Sequence, residues 1–383
     1  MIVTDDLRSD VCDYLRNHRG VLLSRFSTDM MVSVYLAKKI VRQMESEGIV
    51  FTMGIGANRR LYLVDATISF TVQSRWGSDD FIGYAGVVAS VLSSQLVASS
   101  MTKGVLGLIV CPMVDDNLVY SLAKDPEEKN IVIVDNENTR SIKAKLGDAG
   151  VPYTLVPWED IVSRRYEVDR DYYSILIYMI SLGLHSVPDK LKSTVEELTE
   201  DMQPFVDGIG FYLGTCGNFN WNIPQWCEER RMKPSAMFCD KNGELCHDCV
   251  GVNIAGGPKY TEMQKKYTGH LYIFPAMATN YDEFMDADQA DARKTEESLT
   301  DEMREALGIE PGRDGYMRWL FTLGGYEYIL KLDTGLGNRE EFERDLLKVS
   351  ERTRLKIKVA EPGWADLQPT DDLYAKCKSF LSA

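Results

Sequence analysis

The spacing of apolar residues near the start of the chain predicts helices followed by a two-stranded hairpin. Residues 5–17 place apolar side chains at helical intervals, and a second run with the same period spans residues 30–47. Ser27 is a suitable cap for the start of this second helix. Two β-like runs then flank a glycine-containing turn at residues 54–58. This order is typical of a winged helix, so we expect a small winged-helix-like domain over residues 1–65.

Beyond residue 104 the pattern changes to short apolar runs that alternate with amphipathic, helix-like stretches. Such alternation predicts parallel strands joined by crossover helices. The predicted strands are 105–110, 131–134, 153–157, 208–213, 235–239, 271–275, 326–332 and 355–359. We therefore expect an α/β fold, with a Rossmann-like body over 104–383 built on a mostly parallel sheet. An apolar helical connector over 66–103 precedes this body, and a solvated, acidic helical insertion is expected near 282–310.

The composition restricts the classes of protein that need to be considered. No apolar run approaches the roughly 20 residues of a membrane span, and Met1 is followed by acidic residues rather than by a secretory signal. We expect a cytoplasmic protein that does not enter a membrane. The net charge of −15 disfavours general binding to a phosphate backbone. In the cytoplasm the eight cysteines are expected to stay reduced, as ligands, catalysts or packing residues.

Cysteines follow several of the predicted strands. Cys111 and Cys216 each come at the end of one, and a Cys-His-Asp-Cys segment at 246–249 follows a later strand after a turn. Since the carboxyl ends of parallel strands share one edge of a sheet, these side chains are expected to converge there. Three thiolates and one imidazole, from Cys111, Cys216, His247 and Cys249, suit zinc or an iron–sulfur cluster. Binding through only three ligands would leave a position open for substrate.

Other interpretations of the cysteines stay open. A single cysteine after a strand is commonly a small buried residue, which is the interpretation we favour for Cys12, Cys227 and Cys377. The two cysteines of segment 246–249 could instead form a redox pair. Such a motif opens a helix after a strand, and residues 250–252 do not indicate a helix. Redox exchange is therefore the less favoured alternative.

Polar and aromatic residues near the same strand ends are candidates for cofactor binding. Aromatic residues just after Cys216, including Trp221, could form a wall for a planar cofactor such as a corrin, with Asn218 beside them. Asp333 ends a later strand and could bring a carboxylate to the sheet edge, although a capped strand-to-helix turn explains the same residues. A glycine pair within 255–259 could bind an anion, but without a phosphate-loop motif a turn is favoured.

Five short motifs occur in order along the body of the chain. They read I-V-C, L-G-T-C-G-N, H-D-C, Y-I-F-P and L-D-T-G, at residues 109–111, 213–218, 247–249, 272–275 and 332–335. Together they resemble the family known as domain of unknown function 1638, over residues 105–365. The resemblance implies that the four candidate ligands form the shared polar set. The N-terminal module and the additional Cys227, Cys239 and Cys246 depart from the family pattern, which leaves open which cysteines are ligands.

Members of that family occur mainly in methanogenic archaea and anaerobic bacteria, with genes near corrinoid-dependent methyltransferases. The resemblance therefore implies a Cys/His metal-binding protein of anaerobic one-carbon metabolism, either a methyltransferase or an accessory protein to a corrinoid methyltransferase system. It implies zinc or an iron–sulfur cluster, with a corrinoid as a further possible cofactor, and a corrinoid protein or methyltransferase as partner. The His-x-Cys pair is also similar to part of the zinc site of thiol methyltransferases, where zinc activates a substrate thiol.

A metal- or redox-sensing transcription regulator is the alternative hypothesis. In it, the metal-bearing body controls DNA binding by residues 1–65, through the basic residues Lys38, Lys39 and Arg42. Because this module is nearly neutral, docking to a protein is equally open, and DNA is a possible but not the favoured partner.

Overall fold

The structure is a computed structural model of the chain. It describes residues 5–18, 21–32, 34–47, 49–53, 60–63, 102–216, 221–288, 296–312 and 314–381. The chain forms two compact units, Met1–Ser100 and Met101–Ala383. The predicted connector over 66–103 lies almost entirely outside the described residues. No helix in the described part of the chain is long and apolar enough to cross a bilayer.

The N-terminal unit places helices before a small antiparallel sheet. Its elements are, in chain order, helix α1 (Asp5–Asn17), strand β1 (Val21–Leu22), helices α2 (Leu23–Asp29) and α3 (Val34–Ser46), and strands β2 (Val50–Met53) and β3 (Arg60–Leu63). The strands pair in the order β1-β3-β2. Buried apolar side chains, among them Val11, Phe26, Ile40 and Met44, hold the three helices together.

One detail of this unit differs from the sequence-based expectation. Helix α2 was not predicted, and Ser27 lies inside it with its side chain buried. Ser27 therefore does not cap the next helix, which begins later than expected, at Val34. Helix α2 is only seven residues long, which is too short for its apolar spacing to be recognised by period.

The first half of the C-terminal unit alternates strands and helices. Its elements are β4 (Gly104–Val110), α4 (Asp115–Lys124), β5 (Asn130–Val134), α5 (Arg140–Asp148), β6 (Thr154–Val156), α6 (Trp158–Val162), β7 (Tyr173–Met179), α7 (Pro188–Met202), β8 (Gly208–Tyr212), α8 (Ile223–Glu229) and β9 (Ser235–Met237). The six strands form one parallel sheet in the order β6-β5-β7-β4-β8-β9. This arrangement is consistent with the expected Rossmann-like body. Every residue of β4 is buried, as expected for a central strand covered on both faces.

The second half of the unit contains a smaller parallel sheet. Its elements are α9 (Cys249–Asn253), α10 (Gly257–Lys266), β10 (His270–Ile273), α11 (Pro275–Thr279), α12 (Tyr281–Asp288), α13 (Asp301–Leu307), α14 (Gly315–Leu323), β11 (Tyr328–Lys331), α15 (Arg339–Thr353), β12 (Lys356–Val359) and α16 (Gln368–Lys378). The three strands pair in the order β10-β11-β12. Asn338 caps α15, as its position in the sequence indicates.

The two parallel sheets belong to two lobes of the C-terminal unit. The first lobe consists of the elements from β4 to α9 together with α16 and holds the six-stranded sheet, and the second lobe consists of the elements from α10 to β12 and holds the three-stranded sheet. The chain enters and leaves the second lobe side by side, because Ile254 and Asp366 form a parallel β-bridge. The second lobe is therefore an insertion in the first.

The carboxyl end of β4 lies against the second lobe. There the side-chain amide of Asn280 donates to the carbonyl of Pro112 at 3.3 Å, and both residues are buried. Gly337 approaches Asp116 so closely that a Cβ on the glycine would lie 3.0 Å from Oδ1. Met113 belongs to the apolar core of the second lobe. The two lobes thus meet through a packed interface next to Cys111.

Helix α16 returns from the second lobe and completes the first. Cys377 lies over β8, where a Cβ on Gly210 would be 2.7 Å from the cysteine sulfur. The hydroxyl groups of Tyr374 and Tyr173 are 2.8 Å apart in a buried hydrogen bond between α16 and β7. This last helix is therefore part of the core of a sheet whose strands all come much earlier in the chain.

The strand predictions for this unit are confirmed, with ends within two residues of those expected. Strand β7 is the exception, because it was not predicted. Its continuous apolar run does not distinguish a buried strand from a buried helix. The expected solvated insertion near 282–310 also differs in part, since Met285 is buried in the core of the second lobe.

A buried ionic cluster fixes α5 against the start of α4. Lys145 Nζ lies 2.6 Å from Asp115 Oδ1 and 2.8 Å from Asp116 Oδ1, and the three side chains are at most 9% exposed. Two carboxylates share one ammonium, so one negative charge is left over. Burial raises the pKa of Asp116 to about 6; the Lys145 ammonium opposes this rise and the charge of Asp115 adds to it.

We expect this cluster to stabilise the protein in mild acid. Because the pKa of Asp116 rises from its ordinary 3.8 to about 6, the folded state binds the proton more tightly than the unfolded state. The contribution is fully present below pH 3.8 and is lost as the pH rises through about 6, a change of about 3 kcal/mol.

Urea unfolding of the wild type and Asp116→Asn, at a pH of about 4.5 and of about 7, measures this contribution. The variant cannot titrate at this position, so its free energy of unfolding should change less between the two conditions. An equal change in both proteins would contradict the assignment to Asp116.

Candidate functional site

The end of β8 and the Cys-His-Asp-Cys segment run side by side. The amide of Thr215 donates to the carbonyl of Cys246 at 3.1 Å, and the amide of Cys216 donates to the carbonyl of His247 at 2.6 Å. The Thr215 hydroxyl donates to the same His247 carbonyl at 2.9 Å. These bonds align Cys216 with the segment that leads to Cys249.

A glycine at position 214 permits this alignment. A Cβ on Gly214 would lie 2.6 Å from Cα and 2.8 Å from the carbonyl carbon of Asp248. Both distances are well below van der Waals contact, and a backbone cannot move aside as a flexible side chain can. The absence of a side chain at Gly214 therefore sets the separation of the two segments.

Cys111 comes to the same place from the neighbouring strand. Strands β4 and β8 are adjacent and parallel, and the Cys111 amide donates to the carbonyl of Tyr212 at 2.9 Å. Burial first, and then the charge of Cys111, raises the pKa of Cys216; Cys111 also contributes to the raised pKa of Cys249. The structure thus brings the backbones of Cys111, Cys216 and the segment leading to Cys249 to the same end of the sheet.

Burial is the main cause of the raised pKa values of these thiols. It raises the pKa of Cys111 to about 12, and it raises those of Cys216 and Cys249 as well. Nearby backbone amides act in the opposite direction and lower the pKa values of Cys111 and Cys216. The free thiols are therefore protonated near neutral pH, and a cation beside them would be needed to hold three thiolates.

The backbone of Cys216 is in the left-handed region, with φ of +42°. This conformation costs a residue with a side chain on the order of 1–3 kcal/mol, and such residues cluster at functional sites. The 2.6 Å hydrogen bond to the His247 carbonyl is one of the contacts that hold Cys216 in it.

Helix α9 begins at Cys249, which corrects the expectation that no helix follows the segment. Asp248 caps this helix by accepting the amide of Gly251 on Oδ1 at 2.8 Å, and its Oδ2 accepts the hydroxyl of Tyr260 at 2.8 Å. The sequence of residues 250–252, Val-Gly-Val, does not predict a helix because valine and glycine both disfavour helices. The Asp248 cap and tertiary contacts stabilise this single turn instead. The presence of this helix means that the absence of one no longer speaks against a redox pair of Cys246 and Cys249. Cys246, however, is completely buried in the first lobe.

His247 contributes its backbone carbonyl to the site, while its side chain is exposed. Its Nε2 is 3.7 Å from the position of a Cβ on Gly257, so the ring lies beside the start of α10. Within the described ranges, no three His, Cys, Asp or Glu side chains are arranged so that they could hold a metal ion. The three thiols are thus close together without standing as a ready coordination shell.

Two of the residues predicted to bind a cofactor, Trp221 and Asp333, fall in the described part of the chain. Asn218 lies outside the described residues. Trp221 and Trp226 meet edge to face with ring centroids 5.3 Å apart, and Lys192 and Arg230 lie 5.5 Å and 5.0 Å from the two centroids, respectively. One face of each ring is therefore covered by a cation.

Asp333 is exposed, and its Oδ1 accepts the amide of Gly335 at 3.0 Å. This bond stabilises the turn that follows β11. The glycine pair at Gly256 and Gly257 likewise forms the start of α10, with Gly256 at a φ of +89°. Both segments have the role of turns that the sequence also indicated.

Gly214, Asp248 and Tyr260 are site residues that the sequence reasoning did not single out. Asp248 had a recognisable signal, since Asp is a preferred cap directly before the first residue of a helix. Gly214 and Tyr260 act through contacts with distant parts of the chain. No local pattern indicates such contacts.

A comparison with protein families supports the assignment of the body. The model of the family described as Protein of unknown function (DUF1638) matches residues 179–370, half of the chain. The chain belongs to this family. The matched region contains Cys216, His247 and Cys249 but begins after Cys111, so it supports the expected span of 105–365 only from residue 179 onward. No curated protein matches the chain.

In this DUF1638 protein we expect Gly214→Ala to lower the free energy of unfolding by about 1–3 kcal/mol, because the new methyl group would overlap the backbone of Asp248. Gly147→Ala, in α5, is the matched control. A Cβ at that position meets nothing within 4 Å, and alanine favours a helix. Urea unfolding compares the two variants, and a fully stable Gly214→Ala protein would rule out the close approach.

Proposed function

We propose that Cys111, Cys216 and Cys249 together bind zinc or an iron–sulfur cluster. The observation that carries this proposal is that part-buried Cys111 and Cys216 follow the adjacent strands β4 and β8, and that Cys216 is hydrogen-bonded to the segment leading to Cys249. Sulfur ligands delivered in this way suit soft metals. The strained backbone of Cys216 is further support, because the packing of the site maintains it.

The chemistry of the donors fits such a metal, whereas their spacing is not yet that of a coordination shell. The three sulfurs would have to draw together on binding, and each would have to lose its proton. Backbone amides lower the pKa values of Cys111 and Cys216, so they would favour the thiolates that result. His247 is the fourth donor suggested by the sequence, and its ring would have to leave Gly257 to join.

A site with three protein ligands retains a position for a substrate. Zinc held by three ligands would lower the pKa of a substrate thiol bound at the open position. An iron–sulfur cluster would instead carry electrons. We propose that the chain uses this chemistry in methyl-group transfer, as a methyltransferase or as an accessory protein to a corrinoid-dependent one. This wider role is supported by the resemblance of the sequence motifs and of the His-x-Cys pair.

Elemental analysis and absorption spectroscopy of protein purified without oxygen test the metal. About one zinc per chain with a featureless visible spectrum would support thiol activation, and iron with acid-labile sulfide and broad visible absorption would support electron transfer. Protein that contains no metal and takes up neither zinc nor a reconstituted cluster would refute the proposal.

We expect Cys111→Ser, Cys216→Ser and Cys249→Ser each to weaken metal binding at least about 100-fold, because each removes a proposed ligand. Cys239→Ser is the control, since this part-buried thiol lies after β9 and donates to the carbonyl of Met237 instead. Metal content after dialysis against a chelator is the measurement. Full stoichiometry in all three variants would contradict the assignment of ligands.

A second candidate function is DNA binding by the N-terminal unit. The order helix, strand, helix, helix, strand, strand and the antiparallel order β1-β3-β2 support a winged-helix interpretation. In that interpretation α3 occupies the place of the recognition helix, and Lys38 and Lys39 lie on it. The regulator hypothesis would then connect DNA binding to the state of the thiols.

Under the regulator hypothesis we expect the full chain to bind duplex DNA at low salt, with an affinity that changes when zinc is added. Lys38→Glu with Lys39→Glu should weaken binding and lower the salt dependence by about one unit for each phosphate that the variant no longer neutralises. Lys241→Glu with Lys265→Glu makes the same charge change at exposed positions of the C-terminal unit. Gel-shift titrations compare the proteins, and no binding with or without zinc would eliminate this candidate.

A further inference from the structure

We propose that strand β12 is a docking edge for an extended segment of another protein, in which acidic and apolar side chains alternate. The added segment would lie beside β12 as a fourth strand of the smaller sheet. This edge belongs to the second lobe, whereas the thiols belong to the first, so the proposal does not depend on metal binding.

The outer edge of β12 is open in the described part of the chain. The strand order β10-β11-β12 means that β12 pairs with β11 on one side and with no described strand on the other. The amides of Lys356 and Ala360 donate to carbonyl groups at β11 and just before it. Because alternate residues of a parallel strand face the same neighbour, the N–H and C=O groups of Ile357 and Val359 point outward.

The side chains of β12 alternate in character between the two faces of the sheet. Lys356 and Lys358 share one face, and Ile357 and Val359 share the other. Both lysines are exposed, and neither takes part in an ion pair with a described residue. Val359 is 65% exposed although its side chain is apolar. An added strand would therefore meet positive charge on one face and uncovered apolar surface on the other.

These two faces determine the chemistry of the partner. Side chains that share a face on neighbouring strands contact one another, and opposite charges stabilise such pairs. Carboxylates opposite the lysines, with apolar side chains opposite Ile357 and Val359, would complement both faces. The Lys358 ammonium already lies 5.6 Å and 5.5 Å from the ring centroids of Tyr267 and Tyr328. Less side-chain entropy would then be lost when a carboxylate pairs with it.

A second copy of the chain is a less favourable occupant of this edge. Two β12 strands related by a two-fold axis would pair antiparallel and place the lysines of both copies on the same face, where like charges repel. Lysines can also protect an edge strand from unwanted pairing. The exposed Val359 argues against that role alone, because a protected edge gains nothing from an uncovered apolar side chain.

Fluorescence anisotropy of the full chain with a labelled peptide of about eight residues, in which glutamate and valine alternate, tests the proposal. We expect this peptide to bind at least about 10-fold more tightly than the same peptide with lysine in place of glutamate. Its affinity should fall as salt is added, because the lysines are exposed. Equal affinity for both peptides, or no binding of either, would overturn the proposal.

Charge reversal on β12 tests the contribution of the lysines. Lys356→Glu with Lys358→Glu should reverse the preference, so that the lysine peptide binds more tightly than the glutamate peptide. Lys190→Glu with Lys241→Glu is the matched control, since it makes the same charge change at exposed positions of the first lobe. The control should keep the preference of the wild type.

Val359→Pro tests the backbone contribution, because it removes an outward N–H that the pairing with β11 does not use. It should weaken binding of the glutamate peptide about 10-fold, whereas Val359→Ile keeps the N–H and the branched shape and should bind as the wild type does. Hydrogen exchange supplies the location. Exchange over residues 355–360 should slow when the peptide is added, and exchange in β6, an edge strand of the other sheet, should not.

The remaining outcomes also decide the matter. Peptide binding that neither the charge reversal nor Val359→Pro changes would occur elsewhere and would overturn the proposal. Dimerisation of the full chain that Val359→Pro abolishes, without peptide binding, would assign the edge to a second copy instead. Cys216→Ser should bind the peptide as the wild type does whatever its metal content, so failure of the metal proposal and failure of this one are distinguishable.

Discussion

The packing of Gly214 against the backbone of Asp248 is the contact on which the candidate site depends. It brings the end of β8 close enough to the Cys-His-Asp-Cys segment for two backbone hydrogen bonds to form. Those bonds hold Cys216 in its left-handed conformation and leave the Asp248 carboxylate in position to cap α9. The close approach at Gly214 is thus compatible with both the left-handed backbone of Cys216 and the capped helix that begins at Cys249.

Two kinds of buried acidic group lie beyond the carboxyl end of β4, the carboxyl groups of Asp115 and Asp116 and the thiol of Cys111. They differ in whether a cation lies beside them. The carboxylates of Asp115 and Asp116 have a cation of their own, Lys145, within hydrogen-bonding distance. Burial raises the pKa of the Cys111 thiol, and the charge of Asp115 adds to the rise, so this thiol is kept neutral. A protein can bury charge when it supplies the partner, and it otherwise shifts the equilibrium to the neutral form. Burial therefore favours the neutral form of the Cys111 thiol, whereas Lys145 shares its charge with Asp115 and Asp116.

The sequence was sufficient for the parts of this fold that follow from the periodicity of apolar residues and from the rule that parallel strands end at one edge of a sheet. Alternating strands and helices indicated a parallel sheet, and the rule that the carboxyl ends of parallel strands share one edge is consistent with the positions of Cys111 and Cys216 after the adjacent strands β4 and β8. The position of the His247 ring could not be anticipated, because it depends on how the segment pairs with β8 and on which side α10 begins. The two-lobe arrangement was also missed, since a bridge between Ile254 and Asp366 joins positions more than a hundred residues apart. The periodicity of apolar residues describes one segment by itself, whereas these features depend on contacts between two segments.

The position of α16 has a consequence for the order in which the protein can be made. During synthesis the strands β4 to β9 leave the ribosome well before α16, yet the surface of β8 around Gly210 is covered by Cys377 of that helix. Between them comes the whole second lobe. The nascent first lobe must therefore wait with apolar surface uncovered until the second lobe and α16 have both been translated. A ribosome that pauses within the second lobe would prolong the time for which this surface is open to chaperones or to aggregation.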